Sequence, residues 1–561
     1  MEEQARLMSP PRSERQQRQP TVEKTLFDCA DALQMKVPTS CGRNGECHEC
    51  IVEVLSGAAG LAPPTAAERF LQGKYRLACQ ARLLDPHVEP AFAPLKRRRQ
   101  IMSSRQRRTV ALDPCIRRAD DGVYCGDTRI DAYRGAIYGL AIDVGTTTVV
   151  LDLLDLETGA ALCTGALENP QRFGGSDVMH RISYDSGPFR GELSRAIINA
   201  VNAEIREMCR RLRFSRRLIY EIVVVGNATM RDLFFHLDVQ SIGERPYKSV
   251  TELALLRGER ATTALSAPAR ALGLRINPKG TVYGAPLIAS HVGADAAADL
   301  LALGIDELDD AEEVVMLVDI GTNTEVIVGN ARRMVAASCP AGPAFEGGHV
   351  SYGMPGCQGA IESVSLDNGR IACSVIGGGE PEGICGSGLI DLLAELLRHQ
   401  RIDPLGVFAD GTSEFSLVPE KGITFSRADL SELAQAKAAN ACGQLIALRT
   451  FGIPPERVRH VYLAGGFANY INVVNAIAIG FIPGLPLEKI VKVGNAALEG
   501  ATLLLLSQQK RRRIEEIVRR IDHIELETTA DFFDLFVDGC LFQPMEFSQE
   551  LVSVAPAGPR A

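Results

Sequence analysis

Asp143-Val-Gly-Thr-Thr-Thr148 closes one short apolar run, Tyr138 to Val144, and Asp319-Ile-Gly-Thr-Asn-Thr324 closes another, Val314 to Ile320, 176 residues further on. Each is followed at once by a second apolar run, Val149-Val-Leu-Asp-Leu153 in the first case and Glu325-Val-Ile-Val328 in the second. Runs rich in Val and Ile that break on Gly-Thr and then resume read as β-hairpins. One such hairpin is a weak signal, because any hairpin can turn on Gly-Thr. Two of the same form at a long interval predict two related lobes. A Gly-Thr tip exposes backbone N–H groups and hydroxyls that can cradle phosphate oxygens. The Asp at each strand end faces the same point, where it can hold Mg²⁺ through water or orient an attacking water. One hairpin per lobe lets the lobes clamp a triphosphate between them. The candidate phosphate contacts are Gly145, Thr146 and Thr147 with Gly321, Thr322 and Asn323. The candidate catalytic carboxylates are Asp143 and Asp319. Glu325 and Glu346 are further candidates for orienting water, and the competing reading of both is an ordinary salt-bridged or capping carboxylate.

Outward from the hairpins, Leu463-Ala-Gly-Gly-Phe467 follows an apolar strand, Val458 to Leu463. Gly465 and Gly466 there allow close approach of an adenine or ribose. The loop Gly383-Ile-Cys-Gly-Ser-Gly388 adds Gly386 and Gly388 as candidate nucleotide contacts, and Cys385 as a thiol that is either buried or reactive. Arg195 to Leu212, Leu389 to Leu397, Leu430 to Leu448 and Leu498 to Leu506 have helical spacing or composition. Strands alternating with helices make this an α/β chain. It contains no G-x-x-x-x-G-K-[ST] run and no G-x-G-x-x-G after a strand, so a P-loop and a dinucleotide fold have no support.

The composition is that of a soluble globular protein: 561 residues, net charge −9, 46% apolar. No apolar run nears the ~18 residues of a membrane span, and no secretory signal is visible at the polar N-terminus, so a cytoplasmic protein is expected. Charge is uneven. Residues 91–118 carry +8 while 119–561 carry −16. The basic stretch, with Lys96 to Arg99, Arg105, Arg107 and Arg108, reads as a solvated linker, or as a strip docking an acidic partner or the chain's own acidic body. Nucleic acid is a poor candidate, since the body is acidic and no reader motif follows.

The 15 cysteines argue against a disulfide framework in such a chain. Four of them have ligand spacing. Cys41-Gly-Arg-Asn-Gly-Glu-Cys47-His-Glu-Cys50 is a C-x5-C-x2-C run, and Cys79 follows after 28 residues. A [2Fe–2S] cluster needs four thiolates on two irons, and a tight loop can supply three. Gly42 and Gly45 permit the backbone angles of such a wrap. Ile51-Val52-Glu53-Val54 alternates like a strand, and Thr65 to Leu71 reads as a short helix capped by Thr65 with Glu68 three later. A zinc site is the competing reading, but zinc favours paired C-x2-C knuckles and only one pair exists. The other eleven cysteines read as small buried hydrophobes.

The cysteine run resembles the ferredoxin domains of the plant and adrenodoxin types over residues 20–90. The paired hairpins with the Ala-Gly-Gly turn resemble the actin-like ATPase superfamily of sugar kinases, actin and heat-shock chaperones. Their combination is similar to the reductive activators of corrinoid proteins. Asn169-Pro-Gln171, Gly175-Ser-Asp177-Val178, Val225 to Met230, Val292 to Asp295, Ala341 to Glu346, Gly494-Asn495 and Phe532 to Phe536 add to that likeness. The resemblance implies an α/β chain. An N-terminal β-grasp [2Fe–2S] ferredoxin domain would precede a two-lobed actin-like (ASKHA) ATPase. The expected divisions are a disordered tail 1–20, the ferredoxin domain 21–90, a basic linker 91–135, lobes 136–310 and 311–545, and a tail 546–561. Only 63 residues separate Cys79 from Asp143, so a middle domain of the family is expected to be cut down or absent.

The resemblance further implies the job: ATP-dependent return of oxidised Co(II) corrinoid to Co(I) on a partner corrinoid protein or cobalamin-dependent methyltransferase. The cofactors would be a [2Fe–2S] cluster on Cys41, Cys47, Cys50 and Cys79, and ATP with Mg²⁺. A low-potential donor would supply electrons, neither nucleic acid nor membrane would be a partner, and a homodimer is left open. Two other readings compete: an actin-like small-molecule kinase with a redox-sensing ferredoxin, and an electron carrier with a vestigial ATPase.

Overall fold

The computed structural model describes residues 24–85, 88–95, 107–308, 312–367, 370–466 and 468–545. The chain divides into two compact units between Leu95 and Lys96. The two expected tails, 1–20 and 546–561, and the basic residues Lys96 to Arg99 and Arg105 lie outside the described residues.

In the first unit, Ile51–Val54 is the centre of a three-stranded antiparallel sheet between Tyr75–Leu77 and Phe92–Pro94. All four residues of the central strand, which has a neighbour on each edge, are buried. The helix Leu26–Ala32 starts on a capping box, Thr25 with Asp28, and buries Leu26, Phe27 and Ala30. The helix expected over Thr65 to Leu71 is one 3₁₀ turn, Ala66–Glu68. Glu68 turns inward as a buried acceptor, which ends the run and sends the chain toward Gly73, whose φ is +60°.

The second unit is built on two six-stranded sheets with matching cores. In the first, Tyr138–Val144 pairs antiparallel with Thr148–Asp155, which pairs antiparallel with Ala161–Glu168. Ile219–Val225 then lies parallel on the other edge of the first strand. In the second, Val315–Ile320, Thr324–Gly329 and Met334–Cys339 repeat that meander, and His460–Ala464 repeats the parallel addition. The duplicated hairpins thus sit at equivalent places in two sheets of one plan. The helices Ala294–Leu303 and Ala496–Leu506 pack side by side. Gly500 permits this, since a Cβ there would collide with the Ala298 carbonyl.

The stretch 91–135 is not simply a linker. Phe92–Pro94 completes the first sheet, and Ile116–Ala119, Gly122–Cys125 and Thr128–Ala132 form a three-stranded antiparallel sheet of their own. Ile116 and Val123 are fully buried beneath the charged residues that mask the pattern in sequence. Arg107 and Arg108 lie on the acidic body. Arg107 faces Asp152 at 3.9 Å, Arg108 pairs with Glu307 at 2.6 Å, and the Arg108 backbone N–H donates to Glu499.

Candidate functional site

The two Gly-Thr tips meet in one cleft. Its walls include Asp143, Gly145, Thr146, Thr147, Asp319, Gly321, Thr322, Asn323, Glu325 and Glu346. Thr147 Oγ1 lies 3.2 Å from Thr322 Oγ1, across 175 residues of sequence. The first tip is held by its carbonyls. Asn169 Nδ2 donates to Gly145 O at 2.8 Å, buried Arg181 donates to Thr146 O at 2.7 Å, and the Asn169 N–H donates to Thr147 O. The Thr146 hydroxyl accepts from Asn227 at 2.9 Å. With its carbonyls turned back into the fold, the tip presents its N–H side to the cleft. Gly145 is required, because a Cβ would lie 2.6 Å from Thr148 O.

Carboxyl groups crowd behind the tips. Burial, followed by repulsion from Asp295 and Asp319, raises Asp143 to about 7 against a hydrogen bond from Asn495 Nδ2 at 2.9 Å. Burial and Asp295 likewise raise Asp319 to about 7, against a lowering from the neighbouring Asp299 carboxyl. Asp295 rises to about 6 through burial. Glu325 is pushed well above the carboxylate range by burial, Asp295 and Asp319, and accepts from Ser338 at 3.2 Å. Glu346 takes both tip hydroxyls: its Oε2 accepts from Thr147 at 2.8 Å and from Thr322. Among the described residues no Lys or Arg lines the cleft. Several buried carboxyls sharing one space without a counter-charge suit a divalent cation, which would restore their ionised form. Asp143 and Asp319 are the residues that would hold it through water, and it would neutralise charge on a phosphate.

Other lining residues are Gly465, Gly466 and Tyr470 on one wall, and Cys385, Gly386 and Ser387 on another. Gly465 has φ +106°, and a Cβ would strike the Ile320 carbonyl. Gly386 opens the helix Gly386–Arg398, whose first N–H groups are unpaired by the helix itself. Gly388 departs from expectation. It does not line the cleft, and its missing side chain makes room for the Ile361 carbonyl. The Cys385 thiol is buried and bonds to Ile361 O at 3.3 Å.

Sequence reading missed four groups here as chemistry. Asn227, Asp295 and Asn495 stood in segments quoted only for their family likeness, and Asp299 in none. Their signal was local and modest. Asn227 and Asn495 are helix caps, donating with Nδ2 to the site while Oδ1 accepts from Met230 and Leu498 N–H groups.

In the first unit the four predicted thiols gather as two pairs. Cys50 Sγ is 3.4 Å from Cys79 Sγ, and Cys41 is hydrogen-bonded by the Cys47 backbone and thiol. Among the described residues no three His, Cys, Asp or Glu side chains gather to hold one metal ion. Two pairs suit two irons with two thiolates each better than a single zinc. Burial would raise the Cys41 thiol, but N–H groups of Cys47, Asn44 and Glu46 outweigh it and bring it to about 6. The Cys50 thiol, against burial and helped by Gln80 and the Gly45 N–H, brings Cys79 to about 7. The same bond and burial push Cys50 up. The wrap depends on left-handed residues: Gly42 at φ +70°, Arg43 at +71°, Gly45 at +88° and His48 at +55°. The His48 ring stacks on Phe70 at 4.0 Å. The residues present fit a [2Fe–2S] cluster.

Comparison with known proteins places the chain. The family model for a 2Fe–2S iron–sulfur cluster binding domain matches residues 11–84. That for the RACo middle region matches 138–308, and that for the C-terminal ASKHA domain of RACo matches 313–551. A corrinoid activation enzyme, RamQ, of Eubacterium limosum is 34% identical over 432 residues, 72% of this chain and 70% of its own. A [Co(II) methylated amine-specific corrinoid protein] reductase of Methanosarcina barkeri is 26% identical over 430 residues, 72% of this chain and 76% of its own. The solved structure of a reductive activator for a corrinoid, iron–sulfur protein superposes with a TM-score of 0.70 at 30% identity, covering 93% of this chain and 96% of that one. The expected fold class holds: a ferredoxin domain precedes a two-lobed ASKHA unit. The family's middle region matches residues 138–308, the stretch that carries the first six-stranded sheet.

Proposed function

The chain belongs to the family of reductive activators of corrinoid proteins, and on that premise we propose that it is a cytoplasmic, ATP-dependent activator returning a partner's Co(II) corrinoid to Co(I). The observation that supports this most is the presence, in one chain, of a paired-thiol loop and a cleft where hairpin tips of two lobes meet. When bound by Cys41, Cys47, Cys50 and Cys79, a [2Fe–2S] cluster supplies single electrons at low potential, about −400 mV for plant-type centres. A one-electron step uphill by about 100–200 mV costs roughly 2–5 kcal/mol. ATP turnover offsets it if hydrolysis is coupled to a change in the partner's corrinoid environment.

In the cleft, N–H groups of Gly145–Thr147, Thr322 and Asn323 grip phosphates, and the helix start at Gly386 adds further N–H groups. Gly465 and Gly466 let the nucleoside approach. Asp143 and Asp319 would hold Mg²⁺, which would neutralise phosphate charge, and orient the attacking water. Glu325 is buried, and its carboxyl already accepts from Ser338 at 3.2 Å. The test mixes the protein with a Co(II) corrinoid protein and a low-potential reductant, with and without ATP. ATP-dependent loss of the Co(II) absorption band is expected, and no difference between the two arms would sink the reading. Asp319→Asn is expected to slow ATP hydrolysis about a hundredfold or more, measured as phosphate release.

A further inference from the structure

Glu346 occupies the point on which the two phosphate hairpins converge. Its Oε2 accepts from Thr147 of the first lobe at 2.8 Å and from Thr322 of the second. We propose that Glu346 is a displaceable clasp, which joins the two hairpin tips until the phosphates of a nucleoside triphosphate take over both hydroxyls. This rests on the nucleotide reading of the cleft given above.

Three features argue for it. A threonine hydroxyl has one proton to donate. Thr147 and Thr322 can therefore serve Glu346 or a phosphate oxygen, but not both. The second is charge. A carboxylate and a phosphate at one point repel, and among the described residues no Lys or Arg lines the cleft to neutralise the pair. The third is the anchoring of the backbone. Glu346 ends the 3₁₀ turn Ala344–Glu346, in which Ala344 and Phe345 are buried, and Phe345 packs edge-on to Phe481 at 4.9 Å. Gly347 lies so close to Met354 that a Cβ would strike its backbone. The main chain is pinned, so the exchange is a swing of one side chain. The hydrogen-bonded link between lobes then passes from the protein's own carboxylate to the bound phosphate, making the closed cleft responsive to nucleotide.

The alternative role, orienting the attacking water, predicts otherwise. A water-orienting Glu346 would lose hydrolysis on substitution without any gain in binding. The experiment is calorimetric titration of the full chain, cluster loaded, with the non-hydrolysable triphosphate AMPPNP and Mg²⁺, and separately with adenosine. Glu346→Gln and Glu346→Ala are expected to bind AMPPNP about tenfold tighter than the parent, with adenosine affinity unchanged. Thermal melts confirm that each variant is folded, and the two variants guard against an effect peculiar to either side chain. Parent-like or weaker AMPPNP binding by both variants, in a protein whose parent form binds it, overturns the clasp and leaves the nucleotide reading standing. A parent form that binds no AMPPNP overturns the nucleotide reading, and the clasp with it.

Discussion

Glu68 shows how much one side chain does in the first unit. Its carboxylate accepts from Arg76 Nε at 2.8 Å, from the Leu77 N–H at 3.0 Å and from the Thr65 N–H at 2.7 Å. It thereby positions the strand that returns Cys79 to the loop. Glu68→Ala would leave a buried guanidinium unpaired and is expected to cost about 3–5 kcal/mol, read by urea unfolding of the protein. Cys79→Ser removes one of four thiolates; loss of most bound iron and of the visible absorption is expected, measured by iron assay and spectrum. The four thiols were legible because their spacing is local. Glu68 was legible as a cap, yet its bonds to Arg76 and Leu77 were not, since a strand pairing had to bring them near. Asn495 is a further case: it reaches Asp143 across 352 residues.

Elements carry their own tests. The close pairing of Ala294–Leu303 with Ala496–Leu506 depends on Gly500, so Gly500→Ala is expected to destabilise by about 1–3 kcal/mol, seen as a lowered melting temperature. A second test concerns pH. His291 and His523 stack at 6.4 Å between a first-lobe loop and the strand Ile521–Ile524 of the second sheet. Glu252, Glu525, Glu527, Lys248 and Tyr247 surround them. Burial is the main cause that holds both rings below the ordinary 6.5. A base with a depressed folded pKa contributes stability above its unfolded pKa and loses it as pH falls. Stability should therefore drop as pH falls through 6.5 and below, and His523→Gln should blunt that drop in melting scans from pH 7.5 to 5. Helices and strands were legible to within a few residues. Glu192–Leu212 begins three residues before the expected Arg195, directly after Gly191, whose left-handed backbone sets the helix start, and its first turn already buries Leu193.

For the whole molecule, the two units imply separable steps. Asp143→Asn should leave the cluster intact and reducible by dithionite, while ATP-dependent formation of Co(I) on a corrinoid partner is lost; absorbance at the cluster and corrinoid bands reads both. The duplicated Asp-Gly-Thr hairpins, the cysteine spacing and the alternation of strands and helices determined by themselves that this chain has a cluster loop and two related lobes. Those are short-range patterns, set by β-propensity, turn chemistry and ligand reach. Only the tertiary structure decided that the basic stretch holds a small sheet, that Gly388 faces a strand and not the cleft, and that Glu346 joins Thr147 to Thr322. Each depends on groups far apart in sequence brought within a few ångströms, and that proximity follows from packing the whole chain at once.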